Sequence, residues 1–522
     1  MRRPVRSAVL AWATLVCACA TADVGELSWR IPDRSKPYVN KSGSLISAHI
    51  PRGVSNVCAY ATADIDLSGW AQSVLEAEIR CKAEAVDAFP RPGRGIKLSL
   101  SYRNPETGKR CYQSARVQES GSFGWTNLHL TVSFGEVPPL ERSAQLVIGL
   151  QESAGTAVFD LSTFQLRKAS PVYPLSDNDY RVSYPARVQA FPRQRGVMGR
   201  GVCRNTERDI EDLRRMGATL VRLQMNGFGE KKIGATPRPM AEWDAWLAKN
   251  LGHAHEVLGW LEARGMKMAL DLHCPPVGSY GNYCRTFYVR DYADRFISAW
   301  REIARRFKGR KGIYGYDLMN EPNQQERALP DCDYWNLQRR AAEAIREIDP
   351  DATIIFSANQ WDGPSGYEWM RALEMDNVIY QVHVYSPSAF THQAVNGIHA
   401  GDNRVLQPYP NADKGWNKEF LRRQLRFVRA FQLRHHARIF VGEFSASAFA
   451  PGAETYLADC IDLFEEYGWD WTYHSFREAP CWNLECAVNP QTHELVPSVD
   501  TPRLRAVISG FHRGRLCEAA FP

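Results

Sequence analysis

From residue 196 onward the chain repeats one pattern eight times: a short apolar run, then a stretch with apolar residues three and four positions apart. The apolar runs fall at 197–202, 219–225, 266–272, 313–319, 353–357, 378–384, 438–442 and 469–474. Short continuous runs of this kind suit strands buried on both faces, as parallel sheets require. The stretches between them include RDIEDLRRMG, WLAKNLGHAHEVLGWLEARG, YADRFISAWREIARRFKG and KEFLRRQLRFVRAFQLRHH, and several stop at glycine. Parallel strands need long crossovers, which helices supply. Eight such units over roughly 325 residues predict a (β/α)₈ TIM barrel rather than an open doubly wound sheet. No G-x-G-x-x-G or Walker-type loop opens a helix, so no nucleotide is expected.

Residues 23–170 follow different rules. Runs such as VLEAEIRC, GIKLSLSY, TNLHLTVSF, AQLVIGLQ and AVFDLSTFQLR alternate apolar with polar and are broken by Gly, Pro and Asn. That alternation predicts an antiparallel β-sandwich. A joint over residues 171–195, with prolines at 171, 174, 185 and 192, reads as a linker lying against its neighbours. Residues 196–522 then form the barrel domain.

The first 22 residues stand apart. Arg2, Arg3 and Arg6 precede an apolar run over 8–20 and the small residues Thr21 and Ala22. This predicts a secretory signal peptide and a secreted or periplasmic protein, with a lipid anchor on Cys19 the less favoured alternative. The run is too short to span a bilayer. The formal charge of +6 includes those three arginines, and the small, dispersed remainder argues against a nucleic-acid partner. Of the 13 cysteines, the close pairs Cys274/Cys284 and Cys481/Cys486 sit in turn-rich stretches. Export would let them staple loops. Without Cys17 and Cys19 the count is odd, so at least one thiol stays unpaired, and no CxxC spacing favours zinc.

Catalytic groups of such barrels sit where strands end, so the polar residues closing each run are the candidates. Strand two offers Arg222; strand three, Asp271 and His273; strand four, Asn320 and Glu321; strand five, Asn359, Gln360 and Trp361; strand six, His383 and Tyr385; strand seven, Glu443; strand eight, Trp471, His474 and Arg477. Two glutamates, Glu321 and Glu443, each close an apolar strand directly. Paired carboxylates facing a cleft are the apparatus of glycoside hydrolysis, while aromatic rings stack on sugars and His, Asn and Arg bond their hydroxyls. Asp317, inside the strand-four run, has no account beyond pairing with a neighbouring strand's polar group. Dispersed histidines without H-E-x-x-H give no reason to expect a metal.

In order, VRL, DLH, YDLMNEPN, VHVYSP and VGEFS resemble glycoside hydrolase family 5, the cellulase and mannanase family, over about residues 196–517. The resemblance implies Glu321 as acid/base and Glu443 as nucleophile of a retaining double displacement. It implies that Asn320 binds the sugar's 2-hydroxyl, Arg222 supports the nucleophile, His273 lines the site, His383 holds the acid/base in its working state and Tyr385 hydrogen-bonds Glu443. It implies a monomer acting on polysaccharide without a cofactor, β-1,4-glucan first, with mannan hydrolysis and transglycosylation as alternatives. A non-catalytic glycan binder is the alternative of another class. One departure stands out: where the family places a stacking tryptophan on strand eight, this chain has His474, with Trp471 three residues earlier. The front domain resembles jelly-roll carbohydrate-binding modules, with Trp70, Tyr102, Tyr112 and Trp125 as candidate exposed aromatics.

Overall fold

A computed structural model describes residues 27–513 except 71–72, 88–94, 104–109, 116–120, 135–143, 170–191, 202, 229–237, 277–282, 325–327, 330, 369 and 396–405. The expected export segment, most of the proline-rich joint and the Cys284 side chain lie outside the described residues. The chain divides into two units, Met1–Pro174 and Leu175–Pro522.

The first unit contains β1 (Val39–Ser42), β2 (Leu45–Ile50), β3 (Cys58–Ile65), β4 (Val74–Val86), β5 (Gly95–Arg103), β6 (Arg110–Ser114), β7 (Gly121–Ser133), β8 (Ala144–Gln151) and β9 (Gly155–Ala169). They make two antiparallel sheets, ordered β1-β2-β9-β4-β7 and β3-β8-β5-β6. Alternation decides which side chains go inward. On β4, Leu75, Ala77, Ile79 and Cys81 are buried, while Arg80 and Lys82 are exposed. Both sheets contribute to one apolar cluster that includes Ile46, Ala61, Ile79, Leu98, Ile148 and Phe159. Trp70 and Tyr102 belong to that cluster, each edge-on to Phe134. This corrects their expected exposure: Tyr102 shares the inward face of β5 with Leu98 and Leu100, and Trp70 packs under the sheet from the turn before β4. Tyr112 and Trp125 are the exposed aromatics of the four.

In the second unit, β10 (Arg195–Met198), β11 (Leu220–Gln224), β12 (Lys267–Asp271), β13 (Ile313–Asp317), β14 (Ile354–Ser357), β15 (Val378–Val384), β16 (Arg438–Phe444) and β17 (Asp470–Tyr473) form a closed parallel barrel. β17 pairs with β10 and completes the ring. Most of these strands are shorter than the apolar runs that predicted them, since the final residues of a run leave the ladder to become rim. Inside, Leu220, Ala269, Tyr314, Ile355, Ile379 and Phe440 pack as an apolar layer. Asp470 locks the seam: it accepts from Tyr314 Oη at 2.6 Å, Arg438 Nε at 2.6 Å and the Gln194 amide at 2.7 Å.

The helices between strands bury one stripe each. Arg290–Phe307 turns Ala293, Phe296, Trp300, Ile303 and Phe307 inward. Glu207–Met216 starts in a capping box between Thr206 and Asp209 and stops at Gly217, whose φ of 99° suits glycine. The single helix expected over 418–436 is two, Lys418–Gln424 and Arg426–His435, broken at Leu425 where ψ is −3°. Cys481 and Cys486 are free thiols rather than a loop staple. Cys486 Sγ instead faces Asn483 Nδ2 at 3.2 Å, and Cys481 Sγ faces the Ala394 carbonyl at 3.6 Å. Among the described residues no helix is long and apolar enough to cross a membrane.

Candidate active site

Two irregularities in the barrel aim its carboxylates. The β12–β13 ladder skips Tyr314, pairing Met268 with Ile313 and Ala269 with Gly315, so both Tyr314 and Asp317 point inward. The β15–β16 ladder skips Gly442, pairing Val382 with Val441 and His383 with Glu443. Each is a bulge, which re-aims the side chain that follows. A Cβ at residue 442 would lie 2.1 Å from Gln381 Oε1, so any larger residue there would push that side chain aside.

Arg222, fully buried on β11, organises the floor. Its Nε donates to Asp317 at 2.7 Å, Nη1 to Glu443 Oε1 at 2.7 Å and Nη2 to Asn320 Oδ1 at 2.9 Å. Nη2 also lies 3.1 Å from Asp271, whose carboxylate holds His273 Nδ1 at 2.8 Å. Asp317 thereby acquires its partners: Arg222 on one oxygen and Gln381 Nε2 at 3.1 Å on the other. Burial pushes the Asp317 acid up to about 7, against the pull of Arg222. One guanidinium thus fixes a carboxylate from each of three other strands. A buried cation needs such partners.

Glu443 takes a second hydrogen bond on its other oxygen from Tyr385 Oη, at 2.8 Å. That hydroxyl lies 2.7 Å from His474 Nδ1. Burial lowers the pKa of His474. Neutral, it donates Nδ1–H to Tyr385, which leaves the phenol proton for Glu443. Burial would raise Glu443, but the charges on His383 and Arg222 hold its carboxyl well below the usual range.

Glu321 stands across from Glu443. His383 Nδ1 is 2.9 Å from Glu321 Oε1 and 3.9 Å from Glu443 Oε2. Burial disfavours charge on His383, yet the charge on Glu443, the bond to Glu321 and nearby Asp362 raise its pKa to about 9. The backbone of Glu321 is left-handed, with φ of 48°. Asp362 supports it by accepting the Glu321 amide at 2.9 Å and the Ala358 amide at 2.7 Å. Ligand atoms of Glu321, His383 and Glu443 lie within 4.8 Å of one another.

Glu321 and Glu443 border a cavity of about 490 Å³, together with His273, Asn320, Tyr385 and His474. Arg222 and His383 stand behind that surface. Several expected residues lie elsewhere. Trp471 is fully buried, stacked on Phe511 with Nε1 donating to Glu465 at 2.9 Å. Successive strand residues face opposite sides, so Trp471 points to the helices while Thr472 and His474 point inward. Trp361 is 54% exposed on the loop after β14 and does not line the cavity. Asn359 ties that loop to Gln324, at 2.8 Å and 3.1 Å. Arg477 pairs with Asp209 and Glu485.

Sequence reasoning missed Gln224, Asn226, His392, Glu478 and Trp482 on the cavity wall, and Gln381 and Asp362 behind it. Gln224 sits at a strand end, where a polar residue inside an apolar run was the available signal. Trp482 lies well past β17 in a loop, where no periodicity marks it.

Eight parallel strands closed in a ring, with paired carboxylates gathered at their C-terminal ends, define an enzyme of the glycoside hydrolase class. The family described as Cellulase (glycosyl hydrolase family 5) matches residues 184–479, and the chain belongs to it. Endoglucanase C of Acetivibrio thermocellus is 25% identical over 303 residues, covering 51% of this chain and 83% of that protein. Beta-xylosidase of Phanerodontia chrysosporium is 25% identical over 195 residues, covering 35% of this chain and 38% of that one. Among solved structures, Thermotoga maritima Cel5A in complex with cellobiose aligns at 19% identity and a TM-score of 0.46, over 60% of this chain and 97% of that one.

Proposed function

We propose that the chain is a secreted endo-type glucanase that hydrolyses β-1,4-glucan by a retaining double displacement, with Glu443 as nucleophile and Glu321 as acid/base. The observation that carries this reading is separation. An oxygen of Glu321 and one of Glu443 lie within 4.8 Å, which suits direct attack, whereas inversion needs about 6.5–9.5 Å to seat a water. In the first step Glu443 forms a bond to the anomeric carbon while the glycosidic C–O bond breaks. Glu321 gives its proton to the departing oxygen. In the second step Glu321 takes a proton from water, whose oxygen attacks the anomeric carbon and frees Glu443.

The surroundings fit those roles. Arg222 and Tyr385 hold Glu443 ionised and oriented, from 2.7 Å and 2.8 Å. His383 contacts both carboxylates and responds to the charge each carries. Asn320, fixed by Arg222, borders the cavity beside Glu321, where a sugar's 2-hydroxyl would come. The glucan assignment draws on relatives named endoglucanases. ¹H NMR on a soluble β-1,4-glucan tests the mechanism: the first-formed reducing end should be β. An α anomer would overturn it. Glu321→Ala should cost about 10²–10⁴-fold in rate, and Glu443→Ala should lose labelling by a 2-fluoro glycoside.

The two sheets of the first unit are read as a jelly-roll-like β-sandwich that binds carbohydrate. Trp125 is exposed on β7 with Arg80 and Lys82 at 5.5 Å and 5.3 Å from its ring. A nearby groove is bordered by Glu76, Glu78, His129, Gln165 and Arg167. Ring plus hydrogen-bonding groove is the combination that sugar recognition uses.

A further inference from the structure

The loop after β14 carries three consecutive non-glycine residues in the left-handed region: Gln360, Trp361 and Asp362, with φ of 61°, 58° and 55°. Glu321, on the loop after β13, is left-handed as well. Such backbones persist only where surrounding contacts hold them, and they gather where function needs a side chain aimed. Here the two strained stretches hold each other. Asn359 Oδ1 accepts the Gln324 amide at 2.8 Å, the Trp361 amide donates to the Pro322 carbonyl at 3.2 Å, and Asp362 Oδ2 accepts the Glu321 amide at 2.9 Å.

Asp362 reaches further than its neighbours. Its Oδ1 accepts the Ala358 amide at 2.7 Å, closing its own loop, and its carbonyl accepts the His383 amide at 2.8 Å. Its Oδ2 lies 4.0 Å from His383 Nε2, while Nδ1 of that ring is 2.9 Å from Glu321 Oε1. One fully buried residue thus fixes both the backbone that carries Glu321 and the ring that touches its carboxyl. Asp362 does not border the cavity, so it acts on a substrate only through those two.

We propose that Asp362 is the positioning residue for proton transfer: it sets where the Glu321 carboxyl meets the departing oxygen and, later, the incoming water. The proposal rests on the acid/base reading of Glu321 above. In the first step the glycosidic C–O bond breaks, its electron pair stays on the oxygen, and the Glu321 proton goes to that oxygen. In the second, Glu321 takes a proton back from water. Displacing a reacting group by about 1 Å costs on the order of 100-fold in rate. Glu443 is held instead by Arg222 and Tyr385, so bond formation at the anomeric carbon does not depend on Asp362.

Leaving groups separate the two processes. Asp362→Asn keeps a side chain that tolerates left-handed backbone, but it has one acceptor oxygen where two amides need one each. On cellotetraose, whose departing sugar must be protonated, its kcat/KM should fall about tenfold or more. On 2,4-dinitrophenyl β-cellobioside, whose phenolate leaves without a proton, kcat/KM should stay within about twofold. The ratio of the two values does not depend on how much enzyme folds, and Asp362→Gly gives the same readout if the asparagine protein does not fold at all. Equal losses on both substrates, or no loss on either, overturn the proposal. Glu321→Ala, measured alongside, should show the same split more strongly. If it shows none, the acid/base assignment fails and takes the proposal with it. If Glu321→Ala splits the substrates and the Asp362 variants do not, the proposal alone fails.

Discussion

His383 is buried between Glu321 and Glu443, and a ring that burial would neutralise is instead held protonated up to a pKa of about 9. Its ordinary value is 6.5, so folding raises it. The stability its charge contributes is therefore fully present below about pH 6.5 and is lost as pH rises through about 9. The unfolding-temperature gap between wild type and His383→Asn should narrow steadily across that window; a gap independent of pH would show that the ring is not charged in the fold. At this scale the sequence was readable wherever a polar residue closed an apolar run. Arg222, Asn320, Glu321, His383, Tyr385 and Glu443 all meet in one network. Trp471 was misread because its offset from His474 is odd, which puts the two side chains on opposite faces of one strand. Asp317 was unaccountable from sequence because its partner Arg222 comes from a strand 95 residues earlier.

At the level of elements, the bulge at Gly442 matters more than any strand's length. Regular alternation would send Glu443 outward with Val441; the extra residue turns it in beside His383. Gly442→Ala would force the new methyl into Gln381, whose amide bonds Asp317 and Ser357. The expected result is a loss of about 1–3 kcal/mol in stability, as for other overpacked cores, with kcat falling further than folded content as Glu443 and Asp317 shift together. Wild-type kcat per folded molecule would contradict the role given to the bulge. The eight strands and their helices were legible because burial and period repeat along the chain. Bulges were not, since they arise from pairing between strands and leave each strand's own pattern intact. The loop carrying Trp482 was illegible for a similar reason: its shape comes from contacts with Thr391, Tyr473 and Arg503.

Over the whole molecule, the two units are stabilised by separate cores, one gathered by antiparallel sheets and one inside the closed ring. Removing residues 23–174 should leave kcat/KM on a soluble glucan within about twofold, because no described catalytic group comes from that unit, while binding to insoluble polysaccharide in a pull-down should drop sharply. Equal retention on the solid would mean that Trp125 and its groove serve some other purpose. The seam at Asp470 has a consequence in time. A growing polypeptide carries Glu321 long before, and Glu443 shortly before, it contains the residue that joins Gln194, Tyr314 and Arg438. Until that late strand emerges the ring stays open and the two acids have no fixed spacing. Contacts spanning such a distance along the chain also close slowly. Closure of the ring, and with it the fixed spacing of the two acids, therefore waits for the last of its eight strands.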